Sequence, residues 1–383
     1  MEFGLSEQQR MFRSAVRTFV EKEVKPFAAE VDARQELRWE AIAKMPGLGL
    51  TGLQVPEEYG GAGLDSVSAA IAIEELARGC GSTALAVAAH NGLCCFPIVK
   101  WGTDEQKAKY LPTLTNGSAL GSLALTEPGA GSDLAGGVQT TAVMEGDSWI
   151  IDGSKTWITN APTAPVVVTL VRTNPGAEKP SRGLSLIVVE HETHGFTVEA
   201  PIPKLGVRGS HSCPLHYDEA RVPRSNLLGE EGRGLHQTAV TLDGGRIGIA
   251  AVCVGLAQAA LEETLKYLSE RRTFGSKLSE HQAVQHRIAE MSARIESARL
   301  LTYFAAWQKD TGAEFTRSAA TAKLMASETS EFVAFQAIQM HGGYGYSTEF
   351  PVERIYRDQR LMSIGEGANE ILKNVIARSI ISS

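Results

Sequence analysis

The sequence is short of concentrated charge: 37 Lys and Arg stand against 44 Asp and Glu, a net charge of −7 over 383 residues, and the positive residues form no dense run. That excludes the basic stripe that neutralises a nucleic-acid backbone. Cysteine is equally sparse. Cys80, Cys94, Cys95, Cys213 and Cys253 are odd in number and lack C-x-x-C spacing, so neither a disulfide framework nor a metal site is expected, and the thiols read as buried and free. No apolar stretch approaches the ~20 residues of a membrane span, and the opening "MEFGLSEQQR" has no basic-then-apolar leader, so a cytoplasmic chain without a membrane partner is expected. What is present is 43% hydrophobic residues, ample for two or three domains at about 150 residues each, and a small or carrier-borne ligand suits this balance.

Three regions follow one another. Residues 1–118 read as helical: Ser6 and Gln9 stand at capping-box spacing ahead of a stripe of Phe12, Val16, Phe19 and Val20. "PEEYGGAGL" interrupts at 56–64, helical patterns resume at 66–79, and a second capping box at Thr103 and Gln106 opens a run that Pro112 is expected to stop. Residues 119–228 turn β-prone, with "SWIIDGSKTWIT" reading as two strands joined by a hairpin at Asp152-Gly153, then "PVVVTLV", "LSLIVVE" and "GFTVEA". Residues 229–383 return to long proline-free helices over 234–271, 281–310 and 312–340, with a last one starting near Ala368. Four long helices with short connections predict a bundle. Gly244 and Gly245 inside the first cost ~1 kcal/mol each relative to alanine, which points to close approach of another group.

"LALTEPGAGSD", Leu123 to Asp133, is the richest local motif, because its glycines free backbone N–H groups to approach an anion; a plain turn reads equally well. It lacks the G-K-[ST] ending of a P-loop. Its G-x-G-x-x-x-x-G spacing is two residues too long for a nicotinamide fingerprint, and strands rather than a helix follow it. In "WITN", Trp157 is either a core aromatic or one wall of a planar heterocycle whose edge Thr159 would meet. Asp243 and Arg246 are an i, i+3 ion pair or part of a ligand site. Glu366, between Gly365 and Gly367, is an acid favoured by a helix N-terminus at ~0.3–1 kcal/mol, or a base.

"LALTEPGAGSD", "WITN", "RRTFG", "QMHGGYGYSTEFPVERIYRD" and "GEGANEI", in this order and at these separations, resemble the acyl-CoA dehydrogenase flavoproteins along essentially the whole chain. The resemblance implies a mainly α fold with a central β domain: an N-terminal helical domain (1–118), a β-barrel-like middle domain (119–228) and a C-terminal four-helix bundle (229–383). It further implies a homotetramer built as a dimer of dimers, with one FAD per subunit. On that likeness Leu123, Leu125, Thr126, Gly131 and Ser132 would line the flavin, with Trp157, Ile158 and Thr159 on its ring and Ala368 and Glu370 at its border. Arg271, Phe274, Gln282, Gln339, Gly342 and Gly343 would reach the FAD of a neighbouring subunit. Ser132, Asp243, Arg246 and Gly367 would border the acyl-CoA, and no metal is expected.

The activity so implied is α,β-dehydrogenation of an acyl-CoA thioester, with electrons passed to an electron-transferring flavoprotein. Glu366 stands at the family's catalytic base, and desolvation would raise its proton affinity for that task. Some members carry the base immediately before the arginine of D-x-x-R, which here is Gly245, so Glu366 has no rival. Gly365 stands where many members have a large residue, and Ala368 replaces a common threonine. A roomier acyl pocket is expected, suited to a branched, cyclic or carrier-tethered group. The alternatives are an oxidase or monooxygenase of the same fold, a dehydrogenase of carrier-protein-bound acyl groups, and a flavin-binding subunit without activity.

Overall fold

A computed structural model describes residues 4–381. Helix α1 (Glu7–Glu23) opens on the capping box expected of it: Gln9 N–H donates to Ser6 Oγ while Ser6 N–H donates back to Gln9 Oε1, and Val16 and Val20 are fully buried. α2 (Ser66–Gly79) and α3 (Gly81–Ala89) are buried on nearly every side. A π-helical stretch, His90–Cys95, and a short helix, Phe96–Trp101, lead to α4 (Asp104–Thr115). This helix does not stop at Pro112. A proline removes one backbone donor, but burial of Leu111 and Leu114 on either side carries the last turn through it.

The middle region is a seven-stranded sheet: β1 (Ser122–Ala124), β2 (Thr141–Glu145), β3 (Ser148–Thr159), β4 (Val166–Arg172), β5 (Leu184–Glu190), β6 (Phe196–Val198) and β7 (Ser212–Pro223). The order is β1-β4-β2-β3-β7-β6, with β5 antiparallel along the other edge of β4. The hairpin expected at Asp152-Gly153 is absent. β2 turns into β3 around Gly146-Asp147, and β3 runs on through Gly153, where its register against β7 slips. Gly153 has φ +143°, and a Cβ there would lie 2.6 Å from Thr140 Oγ1, so this glycine marks a bulge in a close approach.

The third region contains α5 (Gly234–Glu270), α6 (Gln282–Asp310), α7 (Thr316–His341), α8 (Pro351–Gln359) and α9 (Asn369–Ile381). α5, α6 and α7 are the long bundle helices. The fourth is shorter than expected, and its connection to α7 is long: 342–368 holds two 3₁₀ turns and α8. The segments Gly81–Trp101 and Gly234–Glu270 are long and apolar enough to cross a membrane, contrary to the sequence expectation, but both lie mostly buried within the protein. They are core helices, and α2 and α5 pack together to join the first region to the third. All five cysteines are buried and free.

Candidate active site

The glycine loop after β1 is pinned from behind by a buried ion pair that no local sequence pattern marks. Glu127 accepts Lys155 Nζ at 2.8 Å, Gln139 N–H at 2.7 Å and Thr140 N–H at 3.0 Å, and Lys155, with no solvent exposure, also donates to Leu125 O at 3.1 Å. Burial pushes the Glu127 carboxyl up, but the Lys155 charge and these hydrogen bonds more than offset it and hold the group below its ordinary value. Burial in turn pushes the Lys155 ammonium down to about 8, against the pull of Glu127. The clamp leaves Gly131 and Ser132 exposed at the tip, with no atom within 4 Å of a Cβ added at Gly131. Leu123 and Thr126 are half-buried, and Leu125 is buried.

β3 carries the other wall. Ile158 is buried, Thr159 is half-buried, and Trp157 is 55% exposed on a left-handed backbone with φ +63°. Trp157 is therefore no core aromatic. The register between β3 and β7 slips again between Lys155 and Ile158, where the exposed indole sits, and the preceding Thr156 N–H donates to Thr126 O at 2.9 Å, which ties this part of β3 to the start of the glycine loop. A flat exposed ring beside open backbone N–H groups fits a planar cofactor with an anionic tail.

Glu366 lies in the segment joining α8 to α9, with φ +51° at Glu366 and +99° at Gly367. Although the residue as a whole is half-exposed, its Oε2 is buried and has no hydrogen-bond partner among the described residues. Burial drives the carboxyl up to about 7, against the opposing pull of Lys323 and Arg246. Its backbone N–H donates to no other group among the described residues. The carboxylate sits against Gly245 of α5: a Cβ added there would be 2.2 Å from Oε2 and 2.9 Å from Leu93 Cδ2. The helix-weakening glycine at 245 thus makes room for the acid, whereas a Cβ at Gly244 would meet only the end of the Lys309 side chain, at 3.5 Å from Nζ.

Around this acid, Arg246 pairs with Asp243, whose other oxygen accepts Thr316 Oγ1 at 2.7 Å; both partners are buried. Burial raises the Asp243 carboxyl, against that hydroxyl and the arginine. The ion pair that the sequence allowed is formed, and the same guanidinium reaches within 3.8 Å of a Cβ added at Gly367. Lys323 of α7, fully buried and unnoticed in the sequence, donates to Gly367 O at 2.8 Å and to Asn369 Oδ1 at 3.3 Å. Ala368 is half-buried and Glu370 exposed at the start of α9.

The remaining expected residues are not brought to the glycine loop by this chain. Arg271, Phe274, Gln282, Gln339, Gly342 and Gly343 are all exposed, at the far ends of α5 and α7 and the start of α6. Phe274 is 99% exposed with φ +50°, and a Cβ added at Gly342 or Gly343 would meet nothing within 4 Å. Arg271 lies over the Tyr344 ring at 5.7 Å. Among the described residues seven non-glycines have positive φ, and three of them are Trp157, Phe274 and Glu366. Such conformations cost about 1–3 kcal/mol each and collect where function requires them.

Comparison with known proteins matches these regions one by one. Family models for the acyl-CoA dehydrogenase N-terminal, middle and C-terminal domains match residues 6–118, 122–220 and 232–381. The chain is 44% identical to the short-chain specific acyl-CoA dehydrogenase of Rattus norvegicus mitochondria, over 99% of this chain and 91% of the relative. It is similar in structure to butyryl-CoA dehydrogenase from Megasphaera elsdenii (38% identity, TM-score 0.96, the whole of both chains). A solved structure described as an electron transferring flavoprotein of Acidaminococcus fermentans is similar too (39% identity, TM-score 0.97, the whole of both chains). Relatives acting on CoA thioesters do not favour the oxidase or carrier-bound alternatives. The chain belongs to the acyl-CoA dehydrogenase family of flavoproteins and is an oxidoreductase that dehydrogenates acyl-CoA thioesters.

Proposed function

We propose that the protein oxidises a short, and in part branched, acyl-CoA to the trans-2-enoyl thioester, using FAD and passing electrons to an electron-transferring flavoprotein in the cytoplasm. The observation that carries the reading is the Glu366 carboxylate, buried against Gly245 with an unpartnered oxygen and a pKa of about 7. A base whose affinity sits near the working pH combines adequate deprotonation with adequate strength. Glu366 would take the α-proton, while its own backbone N–H, which donates to no group among the described residues, would donate to the thioester oxygen and stabilise the charge growing there. FAD, when bound, supplies the acceptor for the hydride leaving the β-carbon.

The residues present suit that cofactor. Leu123 to Ser132 and Trp157 to Thr159 would hold its flavin half, with the clamp of Glu127 and Lys155 fixing the loop. Arg271, Phe274, Gln282 and Gln339 to Gly343 would serve the adenosine pyrophosphate of a neighbouring subunit; arginine forks and open backbone amides suit phosphate. Large exposed apolar side chains support such an assembly, including Phe274, Tyr346 at 88%, Trp307 at 52% and Leu300 at 51%. We infer the homotetramer from the family resemblance, and these exposed side chains suit such an assembly. Relatives named for short-chain substrates support a small acyl group. Gly365 adds space beside the base, since a Cβ there would meet only Leu361, at 3.7 Å.

The test is anaerobic titration of the flavin-loaded protein with butyryl-, isobutyryl- and longer acyl-CoA thioesters. Bleaching by the four-carbon substrates, branched included, is expected. Bleaching by long straight chains alone would refute the substrate assignment.

A further inference from the structure

A lysine ammonium buried without a carboxylate partner is costly, and proteins avoid it unless neutral acceptors and a nearby charge compensate. Lys323 is such a group. It has no solvent exposure, no carboxylate within 4 Å among the described residues, and two neutral acceptors, Gly367 O and Asn369 Oδ1. Asn369 Oδ1 also accepts Ser327 Oγ at 3.2 Å, so α7 grips the residues just after Glu366 at two points. An apolar side chain would fill this place in a helix core more cheaply.

We propose that Lys323 is a positioning residue of the dehydrogenation: it holds the Gly367 carbonyl and Asn369 so that Glu366 stays in its left-handed conformation against Gly245, and its charge keeps the unpartnered carboxylate ionisable at working pH. The inference rests on Glu366 as the base. The charged and titratable groups around the pair are Arg246 and Cys253 from α5, and Glu366 and Glu370 from the α8–α9 segment and α9. Asp243 engages the Arg246 guanidinium, and Glu370 is exposed, so Lys323 is the compensating cation tied directly to the Glu366 loop. Burial pushes the Lys323 ammonium down to about 8, against the upward pull of Cys253 and then Glu366.

The test compares Lys323→Gln, which keeps a donor and loses the charge, with Lys323→Met, which loses both. The readouts are flavin occupancy, melting temperature and the pH profile of flavin bleaching by butyryl-CoA. Removing a nearby opposite charge raises a carboxyl pKa by about one unit or more. Both variants are expected to move the acid limb up by about one pH unit, and the Met variant to lose in addition roughly tenfold or more at its optimum. Flavin-loaded variants with an unmoved limb and rates within twofold of the parent would overturn the proposal. So would failure of both variants to load flavin, which would mark the lysine as structural. If Glu366→Gln bleached as fast as the parent, the base assignment itself would fall, separately from the role of Lys323.

Discussion

Two carboxylates sit in glycine-rich loops of this protein, and their surroundings give them opposite duties. Glu127, in "TEPGAGSD", is saturated by a lysine and two backbone N–H groups and held below its ordinary pKa. Glu366, in "GEGAN", has one oxygen with no partner and is raised to about 7. The first anchors a binding loop; the second is poised to take a proton. Residue type and glycine neighbours do not separate them, whereas hydrogen-bond count and the sign of the pKa shift do.

Removing the unpartnered acid should have the largest effect. Glu366→Gln is expected to slow flavin bleaching by about 10³-fold while flavin occupancy is retained, as read by stopped-flow absorbance. Removing the saturated acid should instead strike stability. Glu127→Gln leaves Lys155 buried without its counter-charge, a loss of about 3 kcal/mol or more, seen in calorimetry as a lower melting temperature with earlier flavin release. A third change narrows the contrast to geometry. Gly245→Ala places a Cβ 2.2 Å from Glu366 Oε2, and the displaced base should cost roughly 10- to 100-fold in kcat with the fold intact.

The smallest expected effect is a pH-dependent one with opposite signs at the two sites. Because the folded pKa of Glu366 lies above its ordinary 4.5, stability falls as pH rises from about 4.5 to about 7 and the loss is complete above that. Glu366→Gln removes this penalty. Its melting temperature should match the parent near pH 4.5 and exceed it by a few degrees at pH 8. The contribution of Glu127, whose pKa is depressed, is fully present above 4.5 and is lost on acidification. A Glu366→Gln variant that gains nothing at pH 8 would contradict the buried, unpartnered state.

The division into helical, sheet and helical regions was legible from features that need no tertiary context: capping boxes at Ser6 and Thr103, the short continuous apolar, β-branched runs 166–171 and 184–189 bounded by turn residues, and α5 free of proline over its whole length. Local punctuation misled where tertiary contacts outweighed it. Asp152-Gly153 reads as a turn but serves a bulge packed on Thr140, and Pro112 reads as a stop but sits in a turn held by buried leucines. Glu366 and Trp157 were found through the order of motifs along the chain. Lys155 and Lys323 were missed because a buried lysine looks like a surface one in sequence, and only the fold shows which end of the side chain meets a carboxylate or a carbonyl. Gly245 was flagged as a close approach, but its neighbour comes from 121 residues further along, beyond any local pattern.

The pH dependence of single-turnover flavin bleaching by butyryl-CoA tests the central claim most directly. With Glu366 as the base, the rate rises with pH through a midpoint near 7 and becomes constant above it, and that limb is lost in Glu366→Gln. A flat parent profile down to pH 5, or the same limb persisting in the Gln variant, would contradict Glu366 as the base.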